Sequence, residues 1–112
     1  MNKILLIGRM TKEPEVKHIE EIDKFKCNFT IAVNRRVKNS EGILEADFIP
    51  VVVWGKLAEN VGKYMTKGSL VSVIGRLQIR SYVDKDNNKK YAAEVVGEEV
   101  QFLERKKEAA AN

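Results

Sequence analysis

Between Asp47 and Tyr82 lie side chains whose types and spacing suit holding a base and a phosphate side by side. Phe48 and Trp54 are an even number of residues apart in the apolar run DFIPVVVW, so in a strand they share a face. Arg76, Gln78, Arg80 and Tyr82 alternate along a second run and share a face for the same reason. An aromatic ring gives a base something to stack on. A guanidinium beside it gives a phosphate charge-assisted hydrogen bonds. Together they point to a single-stranded nucleic acid as ligand.

The charge distribution agrees. The net charge is only +4, but the bases are clustered. Arg35, Arg36 and Lys38 fall within NRRVKN, and Lys85, Lys89 and Lys90 follow Arg76 and Arg80 around one polar turn. Arg9 and Lys56 are weaker candidates for phosphate contact. Acids gather elsewhere, at Glu20, Glu21 and Asp23 and at Glu98 and Glu99. Separating the signs in this way makes a one-sided positive field.

Other chemistries find no support. His18 and Cys27 are the sole members of their types, which excludes an internal disulfide and a thiolate metal cage. Gly55-Lys56 is no phosphate loop: PVVVW lacks the leading glycine, and Leu57 stands where a hydroxyl is needed. No nucleophile and base share a defensible spacing. The expectation is a protein without catalysis, cofactor or metal. No apolar run approaches the ~20 residues of a membrane span, and the apolar patch near the start is too short for a signal peptide. A cytoplasmic location, associated with the nucleoid, is expected.

These side chains need a scaffold, and hydrophobic alternation supplies one. Strands are predicted at residues 3–9, 26–34, 47–54, 70–83 and 89–103, with a shorter extended piece near 16–22. Cys27, Phe29, Ile31 and Val33 alternate to one face of the second strand. Leu57, Val61, Tyr64 and Met65 make the apolar stripe of a helix over 56–66, with Gly68 at its end. Residues 35–45 read as a long loop or projecting hairpin, and DKDNN at 84–88 as a tight turn. Pro50 argues for an edge or a bulge. Gly75, inside a long strand, argues for a bulge or a bend, and Gly8 reads the same way. The order β-β-β-α-β-β suits an all-β fold: a five-stranded oligonucleotide-binding Greek-key barrel with one α-helix between the third and fourth strands. The 112 residues fit one domain. It is placed at 1–105, followed by a short charged tail, 106–112, expected to be disordered.

The segments NKILLIGRMTKEPEVK, FTIAVNRR, WGKLAENVGKYMTKGSLVSVIGRLQIRSY and YAAEVVGEEVQFLERK resemble, in order, the bacterial single-stranded DNA-binding protein family. The resemblance runs from Asn2 to about Arg105. It implies an oligonucleotide-binding barrel that forms a homotetramer, a dimer of dimers. Such a tetramer wraps single-stranded DNA without sequence preference and protects it during replication, recombination and repair. The stacking positions of the family fall on Phe48, Trp54 and Tyr82. A fourth falls on Val37, where the family usually has Trp or Phe; valine has no π-face, so this stacking position is weakened. Pro50 stands where the family usually has a polar residue. The family also continues into a flexible linker and an acidic tip that recruits replication and repair proteins. This sequence ends RKKEAAAN, so partners recruited by that tip are not expected for it. Two other readings stay open: an accessory interaction module of the replication machinery, which Val37 and the missing tip favour slightly, and an RNA-binding barrel.

Overall fold

The computed structural model describes residues 1–104. The predicted tail, 106–112, lies outside the described residues. The elements are β1 (Ile4–Met10), β2 (Glu15–Ile19), β3 (Lys24–Asn34), β4 (Ala46–Trp54), α1 (Lys56–Tyr64), β5 (Leu70–Val83) and β6 (Lys89–Phe102).

β1 closes the sheet. It pairs with β5 over Ile4–Arg9 and with β3 at Arg9 and Met10. The ring therefore runs β1-β5-β6-β4-β3 and back to β1. All its pairings are antiparallel except β4 with β6, a short parallel seam of Val51 with Val95 and Val52 with Val96. This is the expected oligonucleotide-binding barrel, with β1, β3, β4, β5 and β6 as its five strands. The extended piece near 16–22 is a strand of its own, β2, laid antiparallel on the first half of β3. Four of its five residues are exposed, so it has no buried face to give a hydrophobic alternation.

The core follows the alternation. Met10, Cys27, Phe29, Ile31, Val51, Val53, Val71, Val73 and Val95 point inward and are buried. α1 packs on β3, β4, β2 and β6, burying Ala58 and Val61, with Met65 just beyond. The helix stops at Tyr64, earlier than predicted, because Met65 is already extended (φ −116°). Tyr64 is on the surface, and Ala58 takes its place in the buried stripe. The left-handed Gly68 belongs instead to the following turn, in which the Ser69 N–H donates to the Thr66 carbonyl (3.0 Å).

Two residues flagged by the sequence shape the site. At Gly75 the register of β5 against β6 shifts, because Gly75 faces Gly97 while Ile74 faces Glu99, leaving Glu98 as the extra residue. A Cβ on Gly75 would collide with the carbonyl oxygen of Val96. Beyond the bulge β5 leaves the core, and from Arg76 to Val83 every β5 residue except Gln78 is exposed, while β6 keeps Val95 buried. Pro50 pairs with Thr30, whose carbonyl accepts from the Thr11 N–H (3.0 Å) on the side away from β4. The Pro50 nitrogen thus faces the opposite direction, toward β6. There the ladder begins only at Val51, so no pairing is lost, as expected for an edge. Gly8 brings no bulge in the β1–β5 register. It is needed because a Cβ there would collide with the Ala32 carbonyl oxygen of β3.

Candidate nucleic-acid interface

The outer face of the barrel is set by strand register. On β4, Phe48, Pro50, Val52 and Trp54 point outward. Their partners on β3 are Ala32, Thr30, Asn28 and Lys26. Across the seam, Val96 and Glu94 of β6 face the same way, opposite Arg76 and Gln78 of β5. One groove is therefore walled by Trp54 and Lys26 on one side and by Arg76, Gln78, Arg80 and Glu94 on the other. Val52, buried beneath it, is part of its lining.

Trp54 is 38% exposed, enough to offer ring surface while anchored at the strand end. Lys26 holds its ammonium over the indole, 5.4 Å from the ring centroid. At an exposed site such a cation–π contact contributes only ~0.5–1 kcal/mol, so the lysine tip is easily drawn off to a phosphate. Arg76 Nη1 donates weakly to Gln78 Oε1 (3.4 Å), and Arg80 Nε lies 3.2 Å from Glu94 Oε1. Both guanidiniums are exposed and keep donors free for a ligand.

Phe48, 66% exposed, lies further along the same face. It borders a second, apolar depression with Ile4, Ile49, Pro50 and Leu77. Glu94 lines this depression as well as the Trp54 groove. Tyr82 is 53% exposed near the hairpin tip, paired with Lys90 and apart from the groove. Lys85 is exposed in the adjoining turn, which Asp84 Oδ1 organises by accepting from the Asp86 and Asn88 N–H groups. Lys56 is exposed at the first position of α1.

The remaining predicted bases divide into two groups. Arg36 and Lys38 are exposed on the loop between β3 and β4, and they have no ion-pair partner among the described residues. Val37, between them, is 78% exposed. Arg35, by contrast, is committed. Its Nε and Nη2 grip both oxygens of Asp47, and Nη1 donates to Glu45 (3.2 Å). These hydrogen bonds hold the Asp47 carboxyl below its ordinary range. Arg9 is likewise taken, by Glu104 (2.8 Å) and the Gly68 carbonyl (3.0 Å).

Lys26, Asn28 and Glu94 are groove residues that sequence reasoning missed. The even spacing of Lys26 with Asn28 and Thr30 was a usable signal for the first two. Nothing local marks Glu94, which reaches the groove only through the register of β6.

The family model described as "Single-strand binding protein family" matches residues 1–103. The chain belongs to this family. It is 71% identical over 109 residues to "Single-stranded DNA-binding protein 1" of Clostridium acetobutylicum, covering 97% of this chain and 99% of that protein. It is 51% identical over 104 residues to the "Single-stranded DNA-binding protein" of Clostridium tetani, covering 93% of this chain and 71% of that one. With the protein of that name from Bacillus cereus it shares 48% over 104 residues, 93% of this chain and 61% of the relative.

Proposed function

We propose that this chain binds single-stranded DNA without reading a defined sequence, and shields it during replication, recombination and repair. The observation that carries the reading is the groove in which an exposed Trp54, a lysine over its ring, and two arginines face one another. Bases stack on Trp54 and Phe48, and on Tyr82 where the strand reaches the hairpin. Arg76, Arg80, Lys26, Arg36, Lys38, Lys56 and Lys85 neutralise phosphates. Arg35 and Arg9 act through the protein instead, since their guanidiniums are already paired. Membership of the family and the names of its relatives support the same ligand. A cytoplasmic setting follows from that role.

The protein acts as a homotetramer, a dimer of dimers. The apolar Leu5 and Ile7, exposed on the outer face of β1, support association. Light scattering of the purified chain, with and without DNA, reads this directly.

Titrating oligo-dT against Trp54 fluorescence tests the function. The indole is the only one in the chain, so quenching reports stacking at that site. Binding should weaken steeply as salt rises. Absence of binding at low salt would refute the reading, and equal affinity for matched RNA oligomers would replace DNA with nucleic acid in general.

A further inference from the structure

Glu94 is the sole acid lining the groove that holds Trp54, Arg76 and Arg80. Its side chain is 20% exposed, against 65% for Arg80 beside it. One oxygen, Oε1, faces Arg80 Nε at 3.2 Å. The other, Oε2, makes no hydrogen bond among the described residues. Glu94 also borders the depression beside Phe48. It therefore stands between the two aromatic platforms of β4, where a strand stacked on both would pass.

A carboxylate in such a place repels phosphate, which gives it no use as a backbone contact. Toward base edges it behaves differently. A carboxylate accepts hydrogen bonds and donates none. Cytosine, adenine and guanine carry exocyclic amino groups that donate, and a Glu accepting from cytosine N4 is a known pairing. Thymine carries no amino group. Its single N3–H sits between two carbonyl oxygens, which the carboxylate repels.

We propose that Glu94 is a base-edge reader: its free oxygen accepts from the amino group of a base held between Trp54 and Phe48, favouring amino-bearing bases over thymine at that position. This rests on the single-stranded DNA reading above. It adds a local bias to binding that is otherwise indifferent to sequence. Arg80 holds the other oxygen and so fixes the direction of the acceptor.

The test compares oligo-dC, oligo-dT and an oligomer of 2-pyrimidinone deoxynucleosides, which is cytosine without its amino group, at neutral pH and one salt concentration. The wild-type protein should bind oligo-dC more tightly than the 2-pyrimidinone oligomer by about two- to ten-fold, the scale of one hydrogen bond. In Glu94→Gln the amide can donate as well as accept, so that preference should shrink and the dC to dT affinity ratio should fall. Circular dichroism of the variant checks its fold; if it does not fold, the wild-type comparison with 2-pyrimidinone still decides. Equal wild-type affinity for oligo-dC and the amino-less oligomer overturns the proposal and leaves the DNA reading standing. So does a variant that binds dC and dT more tightly by the same factor, because Glu94 would then act only as a charge near phosphate. Failure of the wild-type protein to bind any of the three overturns both.

Discussion

Arg35 and Asp47 form a two-pronged ion pair that ties the root of the β3–β4 loop to the residue preceding Phe48. Nη2 to Oδ1 is 2.8 Å, Nε to Oδ1 is 3.1 Å and Nε to Oδ2 is 3.2 Å. Asn39 extends the clamp, donating to Glu45 (3.1 Å) and accepting from the Glu41 and Ile43 N–H groups at 2.9 and 3.0 Å. Arg35, expected to contact phosphate, is here paired within the loop that carries Arg36 and Lys38.

This predicts different salt responses for neighbouring arginines. Each phosphate contact on a single strand adds about 0.7 to the slope of log affinity against log salt. Arg36→Ala should lower that slope by about 0.7. The double variant Arg35→Ala with Asp47→Ala should leave the slope unchanged while increasing hydrogen exchange of the 35–45 loop. A fall in slope for the double variant would assign Arg35 to phosphate after all.

The clamp also has a pH signature. The hydrogen bonds from Arg35 lower the Asp47 pKa in the folded protein. A lowered carboxylate pKa gives stability that is complete above the unfolded value, about 3.9, and is lost as pH falls through the lower folded value. Protection of the loop amides, taken relative to the intrinsic exchange rate at each pH, should therefore hold steady from neutrality to about pH 4 and fall only below it. In Asp47→Asn that acid step should disappear.

The stacking assignments predict losses and one gain. Phe48→Ala and Trp54→Ala should each weaken oligo-dT binding by ~1–3 kcal/mol, measured by anisotropy of labelled DNA. Val37→Trp should strengthen it, because it places a π-face on an exposed loop position between two free bases. No gain from Val37→Trp would mean that the loop does not reach the bound strand.

Gly75→Ala tests the bulge. The added methyl meets backbone, the Val96 carbonyl, which cannot swing aside as a side-chain tip can. The expected cost is ~1–3 kcal/mol, the range for overpacking, read from a denaturant midpoint. The loss should appear as greater exchange in residues 76–96 than in β3.

Cys27 is fully buried. Burial first, then the nearby charge of Glu15, pushes its thiol up to about 11. The raised value gives stability that is complete below the unfolded pKa, about 8.5, and lost as pH rises through about 11. A thiol reagent at pH 8 should therefore react at the rate of unfolding, and rapidly in denaturant.

Much of this was legible from the chain. Alternation in 26–34 and 47–54 separated the buried Cys27, Phe29, Val51 and Val53 from the exposed Phe48 and Trp54, because each strand has one face on the core. Gly75 announced a bulge, and Pro50 an edge. What stayed hidden depends on contacts distant in sequence. β2 was legible only as a short extended piece near 16–22, because it lies on the surface of β3 and lacks a buried face to mark it as a sheet strand. Lys26 meets Trp54 only through the β3–β4 register. The pairing of Arg35 with Asp47 needs a loop to fold back, which residue types alone do not specify.

The bulge at Gly75 has a mechanical side. From Gly75 to Tyr82 the strand runs roughly 23 Å at the usual rise per residue. Tyr82 thus stands near the tip of a hairpin whose ladder shifts register at Gly75. Over that length a tilt of about 10° at the root moves the tip by about 4 Å, more than the spacing of stacked bases. Trp54 and Phe48 are bolted to the barrel wall, whereas Tyr82 is mounted on an arm. In the proposed binding role, Phe48 and Trp54 supply two platforms on the barrel wall and Tyr82 a third set out on the hairpin, so strands of differing path find a stacking partner.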